Sequence, residues 1–414
     1  MNDAAKGIVR VYLTLTLLST LAASFIWGIN TLFLLDAGLS ITAAFAANAF
    51  FTAGQVLFEL PTGIIADTFG RRMSYLLGSA TLFASTILYL LLWRSKGPFW
   101  AWAVVSIFLG LGFTFFSGAT EAWLVDGLKT AGYKGTLESV LAKGAIANGI
   151  AMLTGTVAGG FIAQSTNLGV PYILRAAMLA LTFLIALMLM RDEGFKARKS
   201  DTLIKETKQI FAESMDHGLK NPNVRWLMLS APFTGGVGIF AFYAMQPYLL
   251  ELYGGKESYS IAGVAAAVVA GAQIVGGLIV PYAGKLFQKR TSVLLVGSIV
   301  STAALALMGL VPVFWVALLL LSVWAIVFAA AGPIRQAYIN GLIPSKQRAT
   351  VLSSDNLLSS AGGVVIQPGL GKAADMWGYP ISYILSAAVQ IMAVPFIILA
   401  ARQRTRGDVI EKGK

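Results

Sequence analysis

The feature that most constrains this chain is a series of apolar segments, each long enough to cross a membrane as a helix. About 20 apolar residues span roughly 30 Å of hydrocarbon, and Gly, Pro or charged residues separate twelve segments of this kind. We therefore predict an all-α membrane protein with twelve transmembrane helices, numbered here as spans 1 to 12. The predicted spans are 9–35, 42–66, 72–93, 99–126, 139–164, 171–190, 224–250, 259–284, 291–311, 313–341, 349–372 and 380–401.

Composition supports lipid as the main solvent and excludes several kinds of chemistry. Only 12% of the residues are charged and the mean hydropathy is +0.74, whereas soluble domains carry about 25% charge. The sequence has no cysteine and its one histidine is His217, so we expect no disulfide and no Cys- or His-based metal site or catalytic triad. No phosphate-binding Gly-x-x-x-x-Gly-Lys-Ser/Thr loop occurs. We expect no enzyme activity, no cofactor and no use of ATP.

The net charge of +12 is explained by membrane topology. Cytoplasmic loops of membrane proteins are rich in Lys and Arg, and with the N-terminus inside, most of the basic residues fall on inner segments. This arrangement predicts an integral protein of the cytoplasmic membrane with both termini in the cytoplasm and lipids around it, and nucleic acid is not needed as a partner. The basic residues assigned to the outer side are Arg94, Lys96, Arg175, Lys256 and Lys372.

The longest polar stretch, 191–223, divides the spans into two sets of six. It predicts a six-helix bundle at 1–190, a cytoplasmic linker at 191–223, a second six-helix bundle at 224–402 and a basic tail at 403–414. Apolar residues recur at helical spacing within the linker, which predicts either an amphipathic helix on the membrane surface or a solvated linker helix. These residues are Leu203, Ile210, Phe211, Met215 and Leu219.

An internal repeat relates the two sets of six spans. The stretch SGATEAWLVDGL (117–128) resembles AGPIRQAYINGL (331–342) at a shift of 214. TLFLLDAG (31–38) resembles QPYLLELY (246–253) at a shift of 215. Two nearly equal shifts at equivalent span ends predict two pseudo-symmetric six-helix bundles, as in transporters built from parallel repeats.

The connection between spans 2 and 3 carries a recognisable motif. GIIADTFGRR (63–72) resembles the loop signature of the major facilitator superfamily (MFS), Gly-x-x-x-Asp-x-x-Gly-Arg-Arg/Lys, at Gly63, Asp67, Gly70, Arg71 and Arg72. The resemblance implies a secondary transporter that works by alternating access. It also implies a central cavity lined by spans 1, 4, 7 and 10.

The same loop suggests a conformational latch on the inner side of the membrane. Asp67 can accept hydrogen bonds from Arg71 or Arg72, or it can face the positive N-terminal end of a helix. The resemblance implies the second arrangement, with span 11 as the partner. Gly63 would permit close helix packing and Gly70 a tight turn. Alternatively, the two arginines only anchor the loop on the inner side.

Ionisable residues within spans are candidates for proton coupling because charge in the membrane interior is costly. Glu59 and Glu121 lie in spans 2 and 4, and Asp126 lies at the inner end of span 4. Arg335 occupies in span 10 the position that Glu121 occupies in span 4. Opposed charges at equivalent positions predict either an ion pair or a site for a proton and a substrate.

Aromatic and amide side chains on the predicted cavity helices are candidates for substrate contact. Aromatic residues in spans also pack against other helices or form interface belts, and buried amides need hydrogen-bond partners, so structural roles stay open for each residue. The candidates are Trp27, Asn30, Trp123, Phe240, Tyr243, Gln246, Gln336 and Tyr338.

The glycines of span 5 bear on the direction of transport. GIAMLTGTVAGG (149–160) resembles the glycine-rich antiporter motif of drug exporters at Gly149, Gly155, Gly159 and Gly160, with Thr156 where a proline is usual. The glycines also permit close helix packing. We predict a monomeric transporter that exports a small amphipathic or aromatic compound in exchange for protons. The alternatives are uptake of a metabolite or movement of a lipid-like molecule, and a membrane sensor that has lost transport.

Overall fold

The computed structural model describes residues 3–195, 197, 212, 215–255, 258–343 and 348–410. Nearly all of this part is helical, and its one described β-bridge joins Lys289 to Val409. The predicted all-α class is confirmed. Most of the amphipathic segment expected between residues 191 and 223 lies outside the described residues, although Met215–Leu219 forms a short π-helix.

The first six spans follow the predicted order, and spans 1 and 4 are each divided into two helices. The helices are Asp3–Trp27 and Asn30–Asp36 (span 1), Ile41–Phe69 (span 2), Arg71–Ser95 (span 3), Phe99–Thr114 and Ala119–Thr130 (span 4), Leu137–Ser165 (span 5) and Gly169–Leu189 (span 6).

In the second six spans, two short helical segments follow the main helix of span 8. Span 8 is followed by a 3-10 turn, Val280–Tyr282, and the short helix Ala283–Leu286. The main helices are Pro222–Tyr253 (span 7), Tyr259–Ile279 (span 8), Arg290–Leu310 (span 9), Phe314–Asn340 (span 10), Arg348–Ile391 (span 11 and the start of span 12) and Ala393–Arg402 (the end of span 12).

Twelve crossings follow from the lengths of these helices. In the described part of the chain, 11 helical segments are long and apolar enough to cross a membrane, and the last, Val351–Arg402, has 52 residues. At 1.5 Å per residue such a helix would extend over about 78 Å, more than twice the hydrocarbon thickness. Gly378 breaks it with φ 82° and ψ 166°. The segment therefore supplies spans 11 and 12.

Span 4 is interrupted, and span 10, a single continuous helix, contains a proline at the equivalent place. Span 4 leaves the helical path at Phe115–Gly118, where Gly118 has a φ of 68°. Span 10 contains Pro333, which lacks a backbone N–H and disturbs the helix. Gly118 and Pro333 are 215 residues apart, close to the shift of the internal repeat. Corresponding interruptions in two repeats are a pointer to a binding site.

Contacts divide the chain into two compact units. Unit 1 comprises Met1–Leu39, Phe50–Glu206 and Glu257–Ala267, and unit 2 comprises Ser40–Ala49, Thr207–Lys256 and Val268–Lys414. The first turns of span 2 thus belong to unit 2, and those of span 8 belong to unit 1. In unit 2, the Asp375 carboxylate accepts a hydrogen bond from the Thr42 backbone N–H at 3.0 Å.

In unit 1, span 5 packs closely on span 1 through glycines. A Cβ on Gly155 would lie 2.7 Å from the Ser24 Cβ, and one on Gly159 would overlap the Phe25 carbonyl oxygen. Gly160 is equally close to Gly263. The absence of side chains is what allows these helices to approach.

Two of the glycines expected to permit close packing do not do so. A Cβ placed on Gly149 or on Gly63 would have no neighbour within 4 Å. Gly149 lies one and a half turns before Gly155, and the surface of span 5 is open there. No described neighbour therefore requires a glycine at position 63 or 149.

Aromatic residues at the outer ends of spans 4 and 10 extend the internal repeat. Phe99–Trp100 and Phe314–Trp315 are 215 residues apart. Trp100 is 70% exposed and Trp315 is 72% exposed. Exposed tryptophans at span ends are typical of the aromatic belts at membrane interfaces, so each pair is consistent with a membrane interface at the end of its own span.

Candidate functional site

Two glutamates flank the interruption of span 4 in unit 1. Ser117, within the interruption, donates a hydrogen bond from Oγ to Glu59 Oε1 at 2.6 Å. Glu121 lies in the first turn of the following helix, is exposed, and interacts electrostatically with Tyr12 of span 1. Among the described residues of unit 1, Glu121 has neither a hydrogen-bond nor an ion-pair partner. Its carboxylate therefore has no counter-ion among the described residues of its unit.

Arg335, two residues after Pro333 in span 10, is held by a buried ion pair. Its Nε and Nη2 each donate to one carboxylate oxygen of Asp355 at 2.6 Å, and Nη1 donates to Ser230 Oγ at 3.0 Å. The side chain of Arg335 is 16% exposed and that of Asp355 is 6% exposed. Paired hydrogen bonds of this kind fix the guanidinium in one orientation.

Asp355 is a residue that the sequence analysis missed. We predicted a charge opposed to Arg335 at Glu121, whereas in unit 2 the partner of Arg335 is an aspartate of span 11. The signal was present in the sequence, because Asp355 lies inside the predicted span 349–372. The rule that singled out Glu121, that charge within a span is costly, applies equally to it.

The ion pair borders a cavity of about 230 Å³ inside unit 2. Spans 7, 9, 10, 11 and 12 line it. One part of its wall is apolar and includes Phe328 and Ile397. Hydroxyl and amide side chains form the rest; they include Ser230, Thr234, Ser298, Ser301, Ser359 and Gln390.

Unit 1 contains a matching cavity of about 220 Å³. It is lined by spans 1, 3, 4, 5 and 6, which are the counterparts of the spans around the cavity of unit 2. Asn148 on its wall donates to Thr20 Oγ1 at 3.2 Å, and Trp27 is the predicted substrate-cavity residue that lines it. The repeat therefore extends from sequence to internal cavities.

Arg175, which we assigned to the outer side from the sequence, lines the cavity of unit 1. Span 6 begins at Gly169, which places Arg175 in its second turn with 1% exposure. Its Nε donates to Thr86 Oγ1 at 3.1 Å, and the guanidinium carbon lies 5.6 Å from the centre of the Phe113 ring. These contacts satisfy the charged group inside the bundle.

The loop between spans 2 and 3 forms an ion pair on the surface of unit 1. Arg71 Nη1 contacts Asp67 Oδ1 at 2.5 Å, and the two side chains are 20% and 38% exposed. This is one of the two arrangements that we considered for Asp67. Exposed pairs contribute about 0–1 kcal/mol. The pair borders a cavity of about 570 Å³ whose other lining residues are Asp126, Lys129, Thr130, Gly194 and Phe195.

Arg72 and Gly70 are fixed by Asp192, which follows span 6. Asp192 Oδ1 accepts the Arg72 backbone N–H at 2.9 Å, and Arg72 Nη2 donates to the Leu187 carbonyl at 2.6 Å. Gly70 has a φ of 105°, and a Cβ there would overlap Asp192 Oδ2. Burial raises the pKa of Asp192, although the hydrogen bond from Arg72 and the guanidiniums of Arg72 and Arg71 oppose this. Both the positive φ at position 70 and the closeness of the Asp192 carboxylate therefore require a glycine there.

Unit 2 repeats this helix cap without the sequence motif. Asp408, after span 12, accepts the Thr291 backbone N–H on Oδ1 and the Thr291 hydroxyl on Oδ2, both at 2.8 Å. Thr291 is the second residue of its helix, as Arg72 is of its own. Arg290 Nη1 donates to the Gly407 carbonyl at 2.6 Å. In unit 1 an aspartate after span 6 caps the start of span 3, and in unit 2 an aspartate after span 12 caps the start of span 9.

We expect Asp408→Ala to lower the free energy of unfolding by about 1–3 kcal/mol, because it leaves buried donors of Thr291 without an acceptor. Asp408 is 2% exposed. The measurement is denaturant unfolding in mixed micelles. The control is Asp216→Ala, which removes an exposed ion pair with Lys220 and should change stability by less than about 0.5 kcal/mol. Equal stability of the two variants would contradict the cap.

Four of the predicted substrate-contact residues are buried in helix packing. Asn30 Oδ1 accepts from the Tyr172 hydroxyl at 2.9 Å, and Trp123 Nε1 donates to the Arg191 carbonyl at 2.7 Å. Phe240 and Tyr338 have no exposed surface; the first packs on Phe45 and the hydroxyl of the second donates to the Asn223 carbonyl. The structure gives these side chains partners within their own unit, because large aromatic groups fill the bundle interiors.

The remaining three substrate-contact residues differ in exposure. Gln246 is 1% exposed and Tyr243 is half-buried, with its ring edge-on to Phe242. Gln336 is exposed on span 10, next to Arg335. None of the three lines the two internal cavities described above.

Twelve spans and repeated caps and cavities define an integral membrane protein built from two homologous sets of six spans. The family model of the Major Facilitator Superfamily matches residues 12–367. The chain belongs to the major facilitator superfamily and is a membrane transporter of that type. A search of the curated proteins finds no match.

Solved transporter structures share the fold at low sequence identity. The nucleoside transporter NupG is 12% identical, with a TM-score of 0.78 over 97% of this chain and 100% of that chain. A bacterial homologue of the human lysosomal transporter Spinster is 16% identical, with a TM-score of 0.72 and complete coverage of both chains (100% and 100%). A D-xylose–proton symporter is 17% identical, with a TM-score of 0.65 over 99% and 100%.

Proposed function

We propose that the protein is a proton-coupled secondary transporter that exports a small amphipathic or aromatic compound by alternating access. One observation carries the proposal. Glu121 lies at the interruption of span 4 with no counter-ion among the described residues of its unit, while Arg335 at the equivalent position of span 10 is fully engaged by Asp355. Of the two equivalent positions, position 121 is the one free to change charge.

Proton uptake by Glu121 would follow from the cost of burying charge. A carboxylate that moves from water into apolar surroundings without a counter-ion is cheaper to neutralise than to bury. Binding a proton in one conformation and releasing it in another couples proton movement to the conformational cycle. Glu59 is a less suitable carrier because Ser117 already donates a hydrogen bond to it.

Three further features support this function. The loop motif is complete, and we propose that its Asp67–Arg71 pair belongs to a latch on the cytoplasmic side. The span 5 glycines resemble those of exporters. A structural neighbour is a proton symporter by its description. We further propose that the protein is a monomer in the cytoplasmic membrane with both termini inside, on the distribution of its basic residues.

Glu121→Gln is expected to abolish accumulation driven by a pH gradient, because the amide cannot take up a proton. The assay uses inside-out vesicles with an acidic lumen and radiolabelled chloramphenicol, a neutral aromatic amide. Exchange of labelled for unlabelled compound without a gradient should persist in the variant, since it needs no net proton transfer.

Glu138→Gln is the matched control, because Glu138 is exposed in the first turn of span 5, outside the predicted span. It should accumulate the compound as the wild type does. Gradient-driven accumulation by Glu121→Gln at the wild-type level would remove Glu121 from the coupling role. No accumulation by the wild type would overturn proton-driven export of this class of compound.

Proton-linked uptake of a polar metabolite is the second candidate. The hydroxyl and amide groups around the cavity of unit 2 favour it, and structural neighbours are described as nucleoside and D-xylose transporters. Right-side-out vesicles with an acidic exterior distinguish the two candidates. They should accumulate a substrate of an uptake system and exclude that of an exporter.

A further inference from the structure

Two polar atoms in the cavity of unit 2 have no hydrogen-bond partner among the described residues. Ser298 Oγ and Gln390 Oε1 are buried without a partner, and each residue is 5% exposed. Both side chains line the cavity. Buried polar groups in proteins nearly always have a partner, and leaving one unpaired costs about 1–3 kcal/mol. A molecule in the cavity could therefore donate a hydrogen bond to Gln390 Oε1 and form another with the Ser298 hydroxyl.

The charges at the cavity cancel each other. Arg335 and Asp355 border it and form two hydrogen bonds at 2.6 Å. No other Lys, Arg, Asp or Glu occurs among its described lining residues. A charged ligand would lose part of its hydration without gaining a counter-ion, which is unfavourable. The cavity thus favours a neutral ligand.

Volume and wall chemistry limit the ligand further. The 230 Å³ of space correspond to the liquid volume of about eight water molecules, which is room for one ring with a polar substituent. Phe328, Leu294 and Ile397 give part of the wall an apolar surface. A ring can pack there while its substituent reaches the polar side.

The repeat shows why this cavity differs from its counterpart in unit 1. Gln390 lies 215 residues after Arg175, and the two side chains line equivalent cavities. In unit 1 the guanidinium of Arg175 is bonded to Thr86 and lies over Phe113. In unit 2 the side chain of Gln390 is shorter and neutral, and its Oε1 is left as a hydrogen-bond acceptor that faces the cavity.

We propose that the cavity of unit 2 binds a small neutral ligand that carries a hydrogen-bond donor and an acceptor on one group, as a carboxamide does, attached to an apolar ring. Gln390 Oε1 accepts the ligand N–H, and the Ser298 hydroxyl donates to the ligand carbonyl. The ring packs against Phe328. This names the substrate class and rests on the proposed transport of small amphipathic compounds.

Binding of radiolabelled benzamide to the full-length protein in detergent micelles tests the proposal. Equilibrium dialysis should show saturable binding of benzamide, and benzoate should compete at least tenfold more weakly because it is charged and lacks the donor. Ser298→Ala and Gln390→Leu should each weaken binding about three- to tenfold, the effect of one hydrogen bond. Ser322→Ala, whose hydroxyl is bonded to the Leu318 carbonyl on span 10, should bind as the wild type does.

Three results would overturn the assignment. The first is no saturable binding of benzamide by the wild type, which would mean that the cavity holds only water. The others are competition by benzoate as strong as that by benzamide, and unchanged benzamide affinity in both Ser298→Ala and Gln390→Leu. The binding assay uses no proton gradient, and Glu121 does not line the cavity of unit 2. A failure of proton coupling therefore shows in the vesicle experiment alone, and a failure of this inference shows in the binding experiment alone.

Discussion

Gly159→Val is expected to destabilise the protein more than any other single substitution in span 5. The Cβ of the new side chain would overlap the Phe25 carbonyl oxygen of span 1, and a backbone atom cannot move aside as a side chain can. Overpacking of a helix contact costs about 1–3 kcal/mol, and we expect the upper end of that range or a loss of folded protein. The measurement is the melting temperature of the detergent-solubilised protein followed by size-exclusion chromatography.

Two companion variants keep this prediction decisive if Gly159→Val fails to fold. Gly149→Val adds the same side chain to the same helix where nothing lies within 4 Å, so its melting temperature should match that of the wild type. Gly159→Ala should fall between the two. Equal melting temperatures for the valine variants at 149 and 159 would show that spans 1 and 5 do not meet as described.

Asp355→Ala is expected to lower the free energy of unfolding by about 3–5 kcal/mol, the cost of leaving a buried charge without its partner. The stranded group is the guanidinium of Arg335, which is 16% exposed. Replacing both residues, by Arg335→Met and Asp355→Leu, should cost far less than the single change, because no unpaired charge then remains. Denaturant unfolding of the wild type, both single variants and the double variant measures the coupling.

The surface pair of Asp3 and Lys6 is the control for this cycle. The Asp3 side chain is 97% exposed, so Asp3→Ala should have an effect close to zero. A double variant as unstable as Asp355→Ala would contradict the argument, since the damage would then come from lost packing and not from the stranded charge.

The fold could be predicted from the sequence because lipid imposes a simple rule. A span needs about 20 apolar residues whose backbone groups are satisfied within the helix, and the sequence contains twelve such runs. The observed span boundaries differ from the predicted ones where a single residue sets the start of a helix. Span 6 begins two residues earlier than predicted, at Gly169.

Partners of the site residues could not be predicted, because they lie far apart in the chain. Asp192 and Arg72 are separated by 120 residues, and Asp408 and Thr291 by 117. Periodicity and motifs report on neighbours within a helix, and neither specifies which distant carboxylate will meet a helix end. The position of Glu121 in span 4 was visible in the sequence, whereas the commitment of Arg335 to Asp355 required coordinates.

The cap that Asp408 provides has a practical bearing on how this protein is labelled and expressed. Residues 405–410 lie against span 9 and span 10, where Ile410 N–H donates to the Gln288 carbonyl at 3.0 Å and Thr405 contacts the Tyr338 hydroxyl. An affinity tag or fluorescent reporter fused upstream of Asp408 would remove the acceptor for Thr291. Yield and fluorescence from such a fusion would then report the damaged helix end, so a reporter belongs after residue 410 with a spacer.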